Sequence, residues 1–182
     1  MPEIGPKEEV QMPQDATTAS EHIPEEVLVC VDESVGRGIV AYGFVVKIDR
    51  ETVARESGAF RMPYTPPTRF ATYRGIFAAL WWLLEHGVNG SKVRVISDNN
   101  VVHGLLNPRG PFRRTRKLIS EAVEEIKRRA QALGAVCEVT FERVPRALVA
   151  EADILARAAF EGMKNQATEP ALKTGGGMNG EK

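Results

Sequence analysis

The order in which the hydrophobic pattern changes along this chain of 182 residues restricts its fold more than any other feature. Apolar residues recur with the short period of β-strands in three successive segments, and strand-like and helical segments then alternate. Three strands in a row followed by β-α-β crossovers predict a mixed sheet flanked by helices, an α/β domain with the element order βββαβαβα. The predicted strands span residues 27–31, 40–48, 52–61, 92–97 and 136–144, and the predicted helices span residues 71–86, 115–133 and 149–163, with a short helix ending near residue 106.

The first of these helices has an unusual composition. Its middle, FAALWWLL at residues 77–84, is apolar on every side. A helix of this kind is expected to be covered on several faces rather than to lie half in water. We therefore predict that Trp81 and Trp82 pack in the core.

Both ends of the chain differ in composition from the middle. Residues 1–26 are rich in proline and carry seven acids and one base, and residues 165–182 contain a glycine-rich stretch. We expect a disordered acidic N-terminal tail and a flexible C-terminal tail, with one folded domain at residues 27–164. Residues 27–166 hold 21 bases and 15 acids, although the formal net charge of the whole chain is zero. A basic body is compatible with an anionic partner such as nucleic acid.

The same sequence disfavours several classes of protein. No stretch approaches the roughly 18 apolar residues of a membrane-spanning helix, and the N-terminus lacks the basic and then apolar pattern of a secretory signal. Cys30 and Cys137 lie in apolar strand-like runs without the spacing of a zinc site, so we expect two buried free thiols. These features predict a cytoplasmic protein without a membrane contact, and they predict no particular oligomeric state.

Three acids lie at positions where a sheet of this type brings chain segments together. Asp32 closes the first strand, Asp98 directly follows the strand at residues 92–97, and Asp153 lies early in the last helix. Strand ends that precede helices collect at one edge of such a sheet, where ligands bind. Clustered carboxylates repel one another unless a cation neutralises them, and Mg²⁺ or Mn²⁺ prefers oxygen ligands. The alternative is structural, because Asp98 also suits a helix N-cap and Asp153 a helix N-terminus.

Three segments resemble type 1 ribonuclease H. They read VCVDESVGRGIVAYGFVV, VRVISDNNVVHGLL and EVTFERVPRALVAEADILARAA, and they occur in the family's order within residues 27–161. The resemblance implies a five-stranded mixed sheet and an acidic cluster that holds two Mg²⁺ ions and cuts the RNA strand of RNA/DNA hybrids. By motif match, Asp32, Asp98 and Asp153 take the places of three of the family's four catalytic, metal-binding carboxylates.

The fourth carboxylate of the family is missing. It is a Glu in the first turns of the central helix, where this chain has Ile76, so the resemblance implies a weakened metal site. Glu33 is a possible auxiliary carboxylate. Successive side chains of a strand point to opposite faces, so Glu33 could join Asp32 only if the strand ended at Asp32. The two amides that contact substrate in the family are replaced by Thr72 and Tyr73.

Several arginines are candidates for contacts with nucleic acid. The segment NPRGPFRRTRK at residues 107–117 holds five bases, among them Arg109, Arg113 and Arg114. A basic loop that enters a helix N-terminus suits phosphate contacts. Arg74, early in the central helix, is a second candidate. The alternative for each is an ordinary solvated or ion-paired surface charge.

Two functions remain open from the sequence. The first is a ribonuclease H-type endonuclease of impaired or altered activity, which uses Mg²⁺ or Mn²⁺ to hydrolyse RNA in an RNA/DNA hybrid or a structured duplex. The second is a catalytically inactive module of the same fold that binds RNA, a hybrid or a ribonucleoprotein partner. A purely structural domain is a weaker third alternative.

Overall fold

A computed structural model describes residues 24–88, 90–105 and 111–166 of the chain. These residues form one five-stranded sheet, flanked by three α-helices and two short 3₁₀ helices. The predicted α/β class and the element order βββαβαβα are confirmed. The strands are β1 Glu26–Gly36, β2 Ile39–Ile48, β3 Glu51–Arg61, β4 Lys92–Ser97 and β5 Glu138–Arg143; the α-helices are α1 Thr68–Glu85, α2 Arg113–Ala132 and α3 Ala150–Asn165; the 3₁₀ helices are Asn100–Gly104 and Arg146–Val149.

The sheet is mixed, with the strand order β3-β2-β1-β4-β5. The first three strands pair antiparallel through two tight hairpins, and β4 and β5 pair parallel to β1 and to each other. Both hairpin loops have positive φ angles, at Arg37 and Gly38 in the first and at Asp49 and Arg50 in the second. Two-residue loops of this kind match the twist of the flanking strands. β1 therefore lies at the centre of the sheet, with β4 beside it.

Two hydrophobic clusters cover the two faces of the sheet. Val27, Val29 and Val31 of β1 belong to the larger cluster, which also contains the buried residues of α1 and α2. Cys30, between them in sequence, belongs to the smaller cluster with Ala152 of α3. Side chains alternate along a strand, so this division continues beyond Val31. Asp32 therefore opens toward α3, and Glu33 opens toward α1.

Some local predictions were wrong. Trp81 is 49% exposed, whereas Trp82 is partly buried and stacks on His86 with ring centroids 4.0 Å apart. An apolar helix does not by itself specify which side remains uncovered, and the Trp81 side of α1 faces solvent. The last strand starts at Glu138 rather than at Val136, which is 89% exposed.

Other predictions concern the cysteines, the membrane and the tails. Cys30 and Cys137 are buried free thiols, as predicted. None of the helices in the described residues combines the length and apolar character that crossing a bilayer requires. The tails at residues 1–26 and 165–182 fall mostly outside the described residues and stay a prediction. At the N-terminal boundary, β1 already begins at Glu26.

Candidate active site

The pairing of β1 with β4 brings the chain positions of Asp32 and Asp98 to the same end of two neighbouring strands. The two strands are parallel, and Cys30 pairs with Ile96 at the end of the recorded register. Two residues further along both strands are Asp32 and Asp98. Neighbouring strands lie about 4.8 Å apart. The sheet thus brings together two acids that are 66 positions apart in the sequence.

A glycine in β2 brings the third acid close. Gly43 pairs with Asp32 across the β1–β2 ladder. A Cβ atom at Gly43 would overlap the carbonyl oxygen of Ala152 and would lie 2.7 Å from the backbone nitrogen of Ala156, so the backbone of α3 rests directly on this glycine. Asp153 follows Ala152 in the chain and therefore lies at the same level as Asp32. The sequence analysis missed Gly43, although a glycine within a strand is a signal for close backbone approach.

The carboxyl group of Asp32 is buried and only partly hydrogen-bonded. Asp32 is 3% exposed, and its Oδ1 accepts a hydrogen bond of 2.7 Å from the backbone N–H of Glu33. Its Oδ2 is buried without a hydrogen-bond partner among the described residues. The pKa of Asp32 is raised to about 6, mainly by burial and also by the negative charges of Asp98 and Asp153, while the hydrogen bond from the Glu33 N–H and the charge of Arg146 act against the shift. The three acids therefore interact electrostatically.

Arginines surround this acidic cluster. Asp153 Oδ1 accepts hydrogen bonds from Arg146 Nη2 at 2.7 Å and from Arg157 Nε at 3.0 Å, and its Oδ2 lies 3.0 Å from Arg157 Nη2. Arg143 Nε donates to the backbone carbonyl of Asp98 at 3.2 Å. In this arrangement, no three His, Cys, Asp or Glu side chains of the described residues are grouped closely enough to hold one metal ion.

Glu33 lies on the other side of the sheet from Asp32. β1 does not end at Asp32 but continues to Gly36, so the condition for Glu33 to turn inward beside Asp32 is not met. Its Oε1 accepts a hydrogen bond of 2.9 Å from Asn99 Nδ2, which also donates to Thr72 Oγ1 at 3.0 Å. Its Oε2 is buried without a partner among the described residues.

The electrostatics of Glu33 connect it to the acidic cluster. Burial raises the pKa of Glu33 to about 7, the hydrogen bonds from Asn99 and Thr72 act against this shift, and the charges of Asp32 and Asp98 add to it. The negative charges of Asp32 and Asp98 therefore act on Glu33 as well, although it lies on the α1 side of the sheet. The sequence offered no signal for the Glu33–Asn99–Thr72 network, because its members come from three separate elements.

Ile76 lies one helical turn beyond Thr72 on the same face of α1. It is 0% exposed and belongs to the larger core cluster. The residue of α1 that reaches the site is Thr72, one helical turn earlier, through its hydrogen bond with Asn99. A carboxylate at position 76 would therefore start from a fully apolar environment.

The candidate arginines for nucleic acid differ in their surroundings. The guanidinium carbon of Arg74 lies 5.6 Å from the ring centroid of Phe60 and 5.9 Å from that of Phe77, and its Nε is buried without a hydrogen-bond partner among the described residues. Arg113 and Arg114 are exposed in the first turn of α2. Arg109 lies outside the described residues.

A buried arginine that the sequence analysis passed over fixes the start of α2. Arg116 is 5% exposed, and it donates to the carbonyls of Leu105 and Gly104 at 3.0 Å each and to that of Pro111 at 3.4 Å. It ties the chain after Asp98 to the chain before α2. No sequence pattern separates it from its exposed basic neighbours.

Comparisons with known proteins place the fold. No model of a protein family matches the chain, and no curated protein matches it. Solved structures do match. LC11-RNase H1, isolated from compost by a metagenomic approach, is 18% identical with a TM-score of 0.63, over 77% of this chain and 99% of that one. The N-terminal RNase H domain of Rv2228c from Mycobacterium tuberculosis is 24% identical with a TM-score of 0.56, over 79% of this chain and 99% of that one.

Two further solved structures match the chain. LC11-RNase H1 has also been solved in complex with an RNA/DNA hybrid, and that structure matches with 17% identity and a TM-score of 0.56, over 76% of this chain and 99% of that one. LC9-RNase H1, described as a type 1 RNase H with the type 2 active-site motif, is 22% identical with a TM-score of 0.51, over 78% of this chain and 74% of that one. The class defined by these matches is the ribonuclease H-like fold. This chain has that fold, and its structural neighbours are type 1 RNase H proteins.

Proposed function

We propose that this protein is a ribonuclease H-like nuclease that hydrolyses RNA in RNA/DNA hybrids or structured duplexes with the help of divalent metal ions. One observation carries the proposal. Asp32 is a buried carboxyl group with an unpartnered oxygen, and the charges of Asp98 and Asp153 act on it. A buried carboxylate without a counter-charge is costly, and a bound cation removes that cost.

The substrate class is carried over from the structural neighbours. LC11-RNase H1 binds an RNA/DNA hybrid in its crystal structure and shares this fold over three quarters of the present chain. LC9-RNase H1 is a type 1 enzyme whose active-site motif differs from that of its own type.

The donor set suits a hard divalent cation such as Mg²⁺ or Mn²⁺. Asp32, Asp98 and Asp153 would hold the metal, whereas Glu33 lies on the α1 side of the sheet and is not part of this donor set. The backbone N–H of Glu33 occupies Oδ1 of Asp32, which leaves the buried Oδ2 free for a ligand. Divalent ions in such a site stabilise charge on phosphate oxygens and promote deprotonation of water for attack on a phosphodiester.

The basic residues would hold the substrate. Arg113 and Arg114 are exposed at the N-terminus of α2, where backbone N–H groups also favour anions, and they are proposed to contact phosphates. Arg74 is held between two phenyl rings, which restricts its side chain and makes it a candidate for a single oriented contact. Binding through these residues would weaken steeply with salt.

A second function is favoured by the arginines at Asp153. Both oxygens of this carboxylate are already paired, with Arg146 and Arg157, and no three acids of the described part of the chain form a ready metal cage. A site neutralised by its own arginines suits a module that binds RNA, a hybrid or a ribonucleoprotein partner without cleavage. The two functions share the fold and the basic surface and differ only in turnover.

The decisive experiment is cleavage of an end-labelled RNA/DNA hybrid by the full chain in Mg²⁺ and in Mn²⁺. We expect metal-dependent cleavage that Asp98→Asn abolishes while hybrid binding, measured by fluorescence anisotropy, persists. Glu161→Gln is the matched control, because Glu161 is an exposed acid of α3 that pairs with Lys164. Salt-sensitive binding without cleavage in either metal would establish the second function instead.

A further inference from the structure

Arg146 occupies the acidic cluster in a way that a metal ion would have to disturb. We propose that Arg146 is a built-in counter-cation, which neutralises the acids in the metal-free protein and must be displaced when a divalent ion binds. The inference rests on the proposed metal site and concerns its regulation. Asp153 is paired with this guanidinium, and no three acids of the described residues form a ready metal cage.

The side chain of Arg146 can leave Asp153 without a change in the backbone of the fold, because it is exposed. Arg146 begins the 3₁₀ helix Arg146–Val149 that leads into α3, and its side chain is 59% exposed. Asp153, to which it donates, is only 13% exposed. An exposed cation thus covers a carboxylate that is nearly buried. Release of Arg146 costs little packing and leaves Asp153 in place for another cation.

The charge of Arg146 reaches beyond its direct partner. Asp153, Asp32 and Asp98 all raise the pKa of Arg146, and Arg146 in turn lowers the pKa of Asp32. Its guanidinium is thus the positive charge shared by the three acids that are proposed to hold metal. Arg157 offers a comparison, because it pairs with the same Asp153 from one helical turn further along and is equally exposed, at 63%.

A guanidinium and a divalent ion cannot both neutralise the same acids without repelling each other. The Arg146 contact therefore opposes the binding of the metal ion to the same acids. Coupling of this kind typically changes a binding affinity by about 5- to 150-fold. Because Arg146 is more than half exposed, solvent screens part of this effect. We expect its removal to tighten metal binding by about fivefold.

The test is calorimetric titration of the full chain with MnCl₂ at low ionic strength. We expect Arg146→Gln to lower the Mn²⁺ dissociation constant about fivefold and to lower the melting temperature of the metal-free protein. Arg157→Gln should lower the dissociation constant less, since Arg157 pairs with Asp153, whereas the charge of Arg146 also acts on Asp32. Arg146→Lys, which keeps the charge, should bind Mn²⁺ nearly as weakly as the unmodified chain and serves if Arg146→Gln does not fold.

The outcomes separate this inference from the proposed function. Suppose that the unmodified chain binds Mn²⁺ and that Asp32→Asn abolishes this binding. Unchanged or weaker Mn²⁺ binding by Arg146→Gln would then refute the role of Arg146 as a counter-cation, but not the metal site. Binding only after Arg146 is replaced would support that role strongly. Binding by neither form would overturn both the counter-cation and the metal site.

Discussion

Gly43 offers the most direct test of how the fold builds the site. Replacement by alanine adds one methyl group where the backbone of α3 rests on β2. The new Cβ would lie 2.7 Å from the Ala156 nitrogen, against the 3.4 Å of an ordinary contact. The helix must therefore retreat by at least about 0.7 Å, and further at the Ala152 carbonyl, where the overlap is greater.

The expected energetic effect is moderate but measurable. Overpacking of a well-packed contact costs about 1–3 kcal/mol. The lower backbone entropy of alanine in the unfolded chain and its better fit to a strand give back roughly 0.5–1 kcal/mol. We expect Gly43→Ala to lower the free energy of unfolding by about 1–2 kcal/mol. Because α3 also carries Asp153, the same displacement should weaken Mn²⁺ binding about tenfold, as sub-ångström precision matters at such sites.

The assay combines urea unfolding, followed by circular dichroism, with Mn²⁺ titration. Gly162→Ala is the control, because it lies in α3 with no heavy atom within 4 Å of an added Cβ. Alanine in that exposed helical position should stabilise the chain by about 0.5–1 kcal/mol and leave Mn²⁺ binding unchanged. The reasoning would be refuted if Gly43→Ala were as stable as the unmodified protein and bound Mn²⁺ equally well.

Three further outcomes are expected. Ile76→Glu should destabilise the protein by at least about 3 kcal/mol without gain of activity, because it places a charge in the core. The control Ile76→Val should cost about 1 kcal/mol. Urea unfolding measures the stability of both variants, and hybrid cleavage measures their activity. In the folded state the pKa of Asp32 is raised to about 6 and that of Glu33 to about 7. Between about pH 4 and pH 7 the native state therefore retains protons that the unfolded chain releases. The free energy of unfolding should fall by a few kcal/mol as the pH rises through this range. Asp32→Asn should flatten that fall, and a flat profile in the unmodified chain would contradict the burial argument. Arg113→Gln and Arg114→Gln should each weaken hybrid binding and reduce the slope of log affinity against log salt by about 1, measured by anisotropy.

The sequence predicted what depends on local pattern. Strand and helix periods predicted the element order, which the structure confirms. The expectation that Asp32 closes its strand was wrong, because β1 continues to Gly36, whereas Asp98 does follow the end of β4. The approach of α3 to Gly43 could not be predicted in the same way, since it depends on a contact between elements more than 100 residues apart.

The errors of the sequence analysis have a common physical origin. An apolar helix packs all but one of its sides, and nothing local selects Trp81 as the exposed one. Basic residues are similar in sequence whether they are solvated, like Arg113, or buried against carbonyl groups, like Arg116. The pairing of Arg146 with Asp153 crosses from a 3₁₀ helix into α3, a geometry set by the junction rather than by residue type.

Side chains alternate between the two faces of the sheet along β1, so the neighbouring acids Asp32 and Glu33 lie on opposite faces but interact electrostatically. Asp32 and Glu33 share one peptide bond, whose N–H is held by the Asp32 carboxylate, yet they open toward different helices. A cation bound to Asp32 on the α3 side would offset the negative charge that raises the pKa of Glu33. It would thereby favour the ionised form of Glu33, which accepts the hydrogen bond from Asn99, and Asn99 also bonds to Thr72 of α1. By reciprocity, any contact that orders Asn99 or Thr72 also changes the affinity of the opposite side for its cation. The two faces of the sheet would then be coupled electrostatically through the neighbouring carboxyl groups of Asp32 and Glu33.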